Sequence, residues 1–247
     1  MITTAVVLVA GTGSRLRPLT NDRPKCLVEV GDRSILSRLL DRLADAGITN
    51  AILATGHCAG ALEEHFAAHP SPIALTFVAN PRFATTNNAY SLFTTEASVG
   101  DRGFLLCDGD VLLGPGVVER LLEGGGDTAL LIEPRSDMGE EEMKARVDAT
   151  NRVTALAKTL VARTCFGESI GIQKIGPSAA PALWKTLRAM IAAGAVDRYY
   201  EAAFQTMIDD GIAIHSVPVS EAEWIEIDDL PDLERARAQF HANAWDR

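Results

Sequence analysis

The sequence predicts an α/β fold of three layers, α/β/α, with a mostly parallel sheet and a small antiparallel β extension. Strand-like apolar runs alternate with segments of helical periodicity in the first half, and this order is typical of parallel sheets linked by helices. The first run, 5–10, is continuously apolar, as expected of a strand buried on both faces. Two short segments that flank a polar turn, 145–148 and 152–154, predict the antiparallel hairpin.

The other elements follow from periodicity and from stop signals. Ser34 is the expected N-cap of the first helix, Gly47 follows its end, and Pro70 follows the end of the second helix. The further predicted strands are 51–54, 73–78, 104–107, 128–132, 169–173, 212–218 and 224–227. The predicted helices are 34–46, 59–69, 89–96, 117–122, 179–193, 198–209 and 230–240.

Composition and charge narrow the class of protein. The chain has 247 residues, 47% of them hydrophobic, and 23 basic against 33 acidic residues give a net charge of −10. A chain this acidic is a poor general binder of nucleic acid or of anionic membranes. No apolar run reaches the roughly 18 residues of a membrane-spanning helix, and the start lacks the basic segment of a signal peptide. We therefore expect a cytoplasmic protein with neither nucleic acid nor membrane as a partner.

A glycine-containing loop after the first strand carries the chemical signal. Segment 10–20 has the sequence AGTGSRLRPLT, and Pro24 and Lys25 follow it. Two glycines at the carboxyl end of a strand let backbone N–H groups approach a phosphate. A dinucleotide-binding fingerprint would need a third glycine where Leu16 stands, and a Walker A loop would need Gly-Lys-Ser/Thr. Arg15 and Lys25 bracket the loop and suit a triphosphate, and a purely structural turn is the alternative.

The pattern G-x-G-x-R-L-x-P-L-T followed by P-K resembles the signature of the nucleotidyltransferases that activate sugar phosphates and phosphorylated alcohols. Other segments resemble the phosphocholine cytidylyltransferase-like branch, which includes enzymes for inositol phosphate and aminoethylphosphonate. These segments are 80–92, 108–111, 199–201 and 224–233. The resemblance implies a Rossmann-like sheet of the nucleotide-diphospho-sugar transferase type and Mg²⁺-dependent transfer of CMP from CTP to a phosphorylated alcohol or phosphonate, with release of pyrophosphate.

Two alternatives to this function stay open. One is a sugar-1-phosphate nucleotidyltransferase that uses another NTP, and the other is a non-catalytic, nucleotide-sensing regulatory subunit. The order of the predicted elements, without a domain linker between them, predicts a single domain over 1–247, with a nucleotide-binding half at 1–133 and an acceptor-binding half at 134–247. Whether the chain forms a homodimer is left open.

The resemblance also implies roles for individual residues. Arg15, Lys25 and Lys158 are expected to be catalytic, with Lys158 reaching the acceptor phosphate, and Asp110 and Asp228 are expected to hold Mg²⁺. The expected nucleotide-binding residues are Ala10, Gly11, Gly13, Thr55, Gly56, Asn87, Asn88, Ser91 and Asp108. The expected acceptor-binding residues are Glu168, Tyr199, Tyr200, Glu201 and Trp224.

Structural explanations compete with several of these roles. The two metal-binding aspartates could be turn-forming or helix-capping residues, and the asparagine pair could form a turn that caps a helix. Aromatic side chains suit a quaternary ammonium through cation–π contacts, but each is more often part of the core. Lys158 could be a solvated lysine.

Overall fold

Strands and helices alternate along the chain in the structure, a computed structural model that describes residues 1–243 and 245. The strands are β1 (Thr4–Val9), β2 (Glu29–Val30), β3 (Arg33–Ser34), β4 (Asn50–Thr55), β5 (Ala74–Ala79), β6 (Phe104–Asp108), β7 (Val111–Leu113), β8 (Ala129–Pro134), β9 (Lys144–Val147), β10 (Val153–Ala157), β11 (Gly167–Ile175), β12 (His215–Pro218) and β13 (Trp224–Glu226). The helices are α1 (Ile35–Asp45), α2 (Ala59–Ala68), α3 (Asn88–Thr94), α4 (Glu96–Val99), α5 (Val117–Glu123), α6 (Ala180–Ala192), α7 (Glu201–Asp209) and α8 (Leu230–Asn243).

The central sheet confirms the predicted α/β fold. Strands β5, β4, β1 and β6 lie side by side and all run parallel. Strand β11 is antiparallel to β6 and also pairs with β8, which in turn runs parallel to β12. The hairpin of β9 and β10 joins the sheet beside β11, so the antiparallel extension is present where the sequence predicts it.

Both faces of the sheet are covered. Alternate residues of β1 point to opposite sides: Val7 packs in one apolar cluster with leucines of α1, and Val6 packs in another with residues of α3, α6 and α7. Ser34 caps α1 as predicted, because its Oγ accepts a hydrogen bond of 3.1 Å from the Ser37 N–H. The layers therefore form as predicted, because β1 is apolar on both of its faces.

The short strand β7 was not predicted, and it positions the functional site. It pairs with β13 in a separate two-stranded sheet, in which Val111 lies opposite Glu226. The Ile227 N–H also donates to the Asp110 carbonyl oxygen, at 3.1 Å. Residues that are more than a hundred positions apart in the sequence are thus held side by side at the end of β6. Short strands such as β2, β3 and β7 lack the length that a periodic pattern needs.

Within the described part of the chain, every helix is too short or too polar to cross a membrane.

Candidate functional site

Two adjoining cavities open beyond the carboxyl ends of β1 and β6, where ligands bind in open parallel sheets. The larger has a volume of about 630 Å³, and the smaller of about 200 Å³. Gly11, Arg15, Asp110 and Asp228 line both of them. The glycine loop therefore faces the same space as the two predicted metal-binding aspartates.

Gly13 fixes the shape of the glycine loop. Its φ of +57° lies in the left-handed region, and a Cβ there would stand 2.8 Å from the Lys25 Cβ. The Thr20 hydroxyl donates to the Gly13 carbonyl oxygen at 2.8 Å and ties the two ends of the loop together. At Gly11, by contrast, an added Cβ would meet nothing within 4 Å, so this residue borders open space. The loop is thus held tightly at Gly13 and open at Gly11.

Lys25 lies between the two aspartates. Its Nζ is 2.5 Å from Asp110 Oδ2 and 2.8 Å from Asp228 Oδ1, while Arg15 Nη2 is 2.8 Å from the other oxygen of Asp228. Burial alone would lower the pKa of Lys25, but the two carboxylates outweigh it and raise the pKa. Burial would raise the pKa of Asp228, but the charges of Lys25 and Arg15 outweigh it and lower the pKa. Lys25 and Asp228 are therefore both charged at neutral pH.

A third carboxylate completes this cluster. Ligand oxygens of Asp110, Glu226 and Asp228 all lie within 4.8 Å of one another. Burial, together with the charges of Asp110 and Asp228, raises the pKa of Glu226 to about 8. Asp110 Oδ1 is buried and has no hydrogen-bond partner among the described residues. An unpartnered oxygen within a set of carboxylates is the donor arrangement that suits a hard divalent cation such as Mg²⁺.

Glu226 was not among the residues predicted for the site, although the sequence carries a signal for it. Side chains two positions apart in a strand point to the same face. Glu226 and Asp228 have this spacing at the end of β13, so the assignment of Asp228 to the site implied Glu226 as its neighbour.

Asp108 forms the floor of the larger cavity. Burial raises its pKa well above the ordinary value, and the charges of Asp110 and Glu201 add to this. Its Oδ2 accepts a hydrogen bond of 2.9 Å from the Tyr200 hydroxyl, which itself accepts one of 3.0 Å from Gln173 Nε2. Tyr200 is 0% exposed and is not among the described residues that line the cavity. It lies beneath the site and orients Asp108, instead of forming the wall of an acceptor pocket as expected.

The predicted nucleotide-binding residues of α3 do line the larger cavity, and they also hold the helix in place. Asn87 caps α3 through its Oδ1, which accepts from the Asn88 N–H at 2.8 Å. Asn88 Oδ1 accepts from the Tyr200 N–H at 2.9 Å, and Ser91 Oγ accepts from Asn80 Nδ2 at 3.0 Å. A structural role and a binding role are therefore not exclusive here, since Asn87 caps α3 and Asn88 and Ser91 hold neighbouring segments while all three line the cavity.

Thr55 and Gly56 are placed differently from the prediction. Neither is among the described residues that line the two cavities. A Cβ on Gly56 would stand 2.6 Å from the Phe83 Cβ and 2.7 Å from the Ala10 carbonyl oxygen. Gly56 thus allows the close packing that supports Ala10 from behind, while Ala10 itself lines the larger cavity.

Lys158 and Tyr199 lie together on the cavity wall. The Lys158 Nζ is 3.3 Å from Glu141 Oε2 and 4.7 Å from the centroid of the Tyr199 ring, a cation–π arrangement. Burial would lower the pKa of Lys158, but its interactions with Tyr199 and Glu141 outweigh it and raise the pKa. This lysine is therefore a charged group of the wall and is not free in solvent.

Glu168 and Trp224 contact two residues that were not predicted. Arg135 Nη1 is 3.1 Å from Glu168 Oε2, and Trp224 Nε1 donates to Glu133 Oε2 at 3.0 Å. Burial raises the pKa of Glu168 to about 7, and Arg135 offsets only part of this effect. Glu133 and Arg135 follow a predicted strand directly, which is where site residues of parallel sheets are found, but no local pattern marks them as functional.

Comparison with known proteins agrees with this geometry. Residues 4–123 match the nucleotidyl transferase family. CMP-5'-(3-aminopropyl)phosphonate synthase of Streptomyces rubellomurinus is 39% identical over 117 residues, which are 47% of this chain and 18% of that protein. The UTP–glucose-1-phosphate uridylyltransferase AglF of Haloferax volcanii is 36% identical over 132 residues, 52% of this chain and 53% of that protein. The choline-phosphate cytidylyltransferase of Streptococcus pneumoniae is 32% identical over 97 residues, 39% of this chain and 41% of that protein. The chain thus spans about half the length of these relatives or less.

Solved structures resemble the whole chain. The CTP:phosphocholine cytidylyltransferase of Streptococcus pneumoniae has a TM-score of 0.78 at 21% identity, covering 96% of this chain and 99% of that one. The inositol-1-phosphate CTP transferase of T. maritima has a TM-score of 0.78 at 23% identity, covering 97% and 96%. At this level of identity the likeness shows the fold. The family match and the relatives thus confirm the resemblance stated from the sequence, and the solved structures confirm the fold.

Proposed function

We propose that this chain, whose residues 4–123 match the nucleotidyl transferase family, transfers CMP from CTP to a phosphorylated alcohol or a phosphonate. One observation carries the proposal: Lys25 of the glycine loop contacts Asp228, 203 positions away, at the point where Asp110 and Glu226 also converge. A purely structural turn would not need two cations and three carboxylates around a pair of cavities. The arrangement suits a ligand that brings both a triphosphate and a divalent cation.

In the proposed reaction, an oxygen of the acceptor phosphate or phosphonate attacks the α-phosphorus of CTP. A new P–O bond forms, the bond to the oxygen that bridges the α- and β-phosphates breaks, and pyrophosphate leaves with that electron pair. The acceptor oxygen is already anionic at neutral pH, so the step needs no base and no covalent enzyme intermediate. The barrier is then largely a matter of positioning and of charge repulsion.

The residues of the site would both position the two substrates and offset the repulsion between their charges. Backbone N–H groups of the glycine loop would hold the triphosphate, and Arg15 and Lys25 would exchange their carboxylate partners for phosphate oxygens. Asp110, Glu226 and Asp228 would hold Mg²⁺, which supplies positive charge to phosphate oxygens when it is bound. Lys158 would approach the acceptor phosphate from the opposite wall. Residues 1–133 would thus contribute most of the nucleotide contacts, and residues 134–247 most of the acceptor contacts.

CTP is the proposed nucleotide because two of the relatives and both structural neighbours named above carry CMP or CTP chemistry in their names. A sugar-1-phosphate uridylyltransferase is the second candidate, since one relative at 36% identity has that name. Asn87 and Asn88 line the cavity and offer amide groups to a pyrimidine, which fits either base.

Pyrophosphate release separates these candidates. The four NTPs are each combined with Mg²⁺ and with a panel of phosphorylated alcohols, alkylphosphonates and sugar 1-phosphates. The proposal predicts that CTP with a phosphonate or a phosphorylated alcohol gives the highest kcat/KM, and that Asp110→Asn abolishes the signal. Highest turnover with UTP and a sugar 1-phosphate would establish the second candidate instead, and no release with any pair would support the regulatory alternative.

A further inference from the structure

The antiparallel extension gives the larger cavity an acidic wall, formed by Glu133, Glu142 and Glu168. Glu133 and Glu168 are direct partners in the ladder between β8 and β11. One guanidinium serves both of them: Arg135 Nη1 is 3.1 Å from Glu168 Oε2 and 4.0 Å from Glu133 Oε2. Arg135 is further shared with the exposed Asp137, whose Oδ1 is 3.2 Å from its Nε. A single cation therefore faces more carboxylates than it can neutralise.

The neighbouring lysines do not neutralise the carboxylates of the acidic wall. Lys144 is buried and its Nζ donates to two backbone carbonyl oxygens, those of Glu142 at 3.2 Å and Lys158 at 2.7 Å. Lys158 is paired with Glu141. Within the described part of the chain, Arg135 is thus the one cation that contacts a carboxylate of the acidic wall, and carboxylates without a full counter-charge in a partly buried site are costly.

Unpartnered oxygens point to a ligand at this wall. Ser169, next to Glu168 on β11, is 6% exposed and lines the cavity, and its Oγ has no hydrogen-bond partner among the described residues. Glu142 Oε2 is likewise buried and unpartnered over the same range. Mutual repulsion with Glu142 and Glu133 adds to the burial that raises the pKa of Glu168. Two buried oxygens without a hydrogen-bond partner, beside two carboxylates that share one guanidinium, define the chemistry of a missing partner.

The aromatic side chains of the cavity do not form a cage for a quaternary ammonium. Lys158 already occupies the face of Tyr199, and Tyr200 is fully buried with its hydroxyl on Asp108. Trp224 is 8% exposed, and its indole N–H is committed to Glu133. A trimethylammonium group has no N–H to give to carboxylate and hydroxyl oxygens, whereas a primary ammonium has three.

We propose that the acceptor carries a protonated primary amine, which the acidic wall of Glu133, Glu142 and Glu168 binds with the Ser169 hydroxyl. The inference rests on the proposed function for the statement that this ligand is the acceptor. It specifies an aminoalkyl phosphonate or an aminoalkyl phosphate, and it predicts that acceptors with a quaternary ammonium group and acceptors without an amine are poorer ligands.

Calorimetric titration tests the proposal with three matched phosphonates: an ω-aminoalkylphosphonate, its N,N,N-trimethyl derivative and the alkylphosphonate of equal length. The amine is expected to bind at least about tenfold more tightly than the other two, because only it can satisfy the buried acceptors. Glu168→Gln should remove most of this preference without weakening the binding of the alkylphosphonate that lacks the amine. Glu64→Gln, on the exposed side of α2, is the control and should keep the preference.

Glu142→Gln provides a second variant if Glu168→Gln does not fold, since Glu142 is less buried, and it should reduce the same preference. Equal binding of the three phosphonates, or tighter binding of the trimethyl derivative, would overturn the inference. Pyrophosphate release is measured in parallel. Selective binding of the amine without turnover of any acceptor contradicts the proposed function alone, whereas turnover without amine selectivity contradicts the inference alone.

Discussion

Lys25 carries the charge balance of the site in the absence of a nucleotide. Its side chain is only 16% exposed and lies between Asp110 and Asp228, whose carboxylates would otherwise repel each other and Glu226. The same ammonium group is the one proposed to meet the phosphates. A residue with these two roles should affect both stability and turnover when it is removed.

Lys25→Ala is therefore expected to lower kcat by ~10²–10³, the scale for loss of one group that stabilises developing charge. It should also lower the free energy of unfolding by about 1–3 kcal/mol, because it leaves partly buried carboxylates without a counter-ion. Turnover and thermal unfolding are measured on the same preparation.

Arg17→Ala is the matched control, since Arg17 is exposed in the same loop. It should change the free energy of unfolding by no more than about 0.5 kcal/mol. Wild-type turnover in Lys25→Ala would contradict the phosphate role, and unchanged stability would contradict the charge balance.

The glycine loop contains one glycine with a structural role and one that borders the ligand space. Gly13 has a positive φ and no room for a Cβ beside Lys25, whereas Gly11 faces open space on the wall of both cavities. Two glycines in one motif thus serve two purposes, of which the first concerns the folded loop and the second the approach of a phosphate.

Gly13→Ala should consequently lower the free energy of unfolding by about 1–3 kcal/mol, the cost of a strained backbone at a left-handed position. Gly11→Ala should leave thermal unfolding nearly unchanged and raise the KM for the nucleotide, because its Cβ would enter the space proposed for phosphate. Equal loss of stability in the two variants would mean that both glycines are structural. An unchanged KM in Gly11→Ala would place the triphosphate elsewhere.

The two-stranded sheet of β7 and β13 holds the carboxylates of the site in place. Pairing of Val111 with Glu226, and the bond from the Ile227 N–H to the Asp110 carbonyl oxygen, bring the acidic residues of two distant segments into one cluster. This element is short, and its contribution is the placement of side chains more than the burial of apolar area.

For the molecule as a whole, the layers could be predicted because they follow from local patterns. A strand buried on both faces is apolar over most of its length, as β1 is from Ala5 to Val9, and the glycine loop has to keep small residues where the backbone turns sharply. The contact between Lys25 and Asp228 has no such local pattern, since 203 positions separate the two residues. Only the family resemblance brought them together before the structure did.

The remaining differences between the predicted site and the observed site have a common physical cause. Aromatic side chains such as those of Tyr200 and Trp224 are found both in ligand cages and in protein cores. Only the tertiary packing shows that Tyr200 is buried beneath Asp108. Thr55 and Gly56 end a strand beside the site, yet their neighbours cover them. Glu226 could have been found from its spacing to Asp228, whereas Glu133 and Arg135 could not.

The transfer of CMP is tested most directly by ³¹P NMR of a reaction that contains the protein, Mg²⁺, CTP and an aminoalkylphosphonate. The predicted result is the loss of the CTP resonances with the appearance of pyrophosphate and, in equal amount, of a product whose phosphonate and phosphate signals are coupled through their shared oxygen. Persistence of unreacted CTP with this phosphonate and with the phosphorylated alcohols of the panel, or its conversion to CDP and inorganic phosphate, would contradict attack on the α-phosphorus and with it the proposed function.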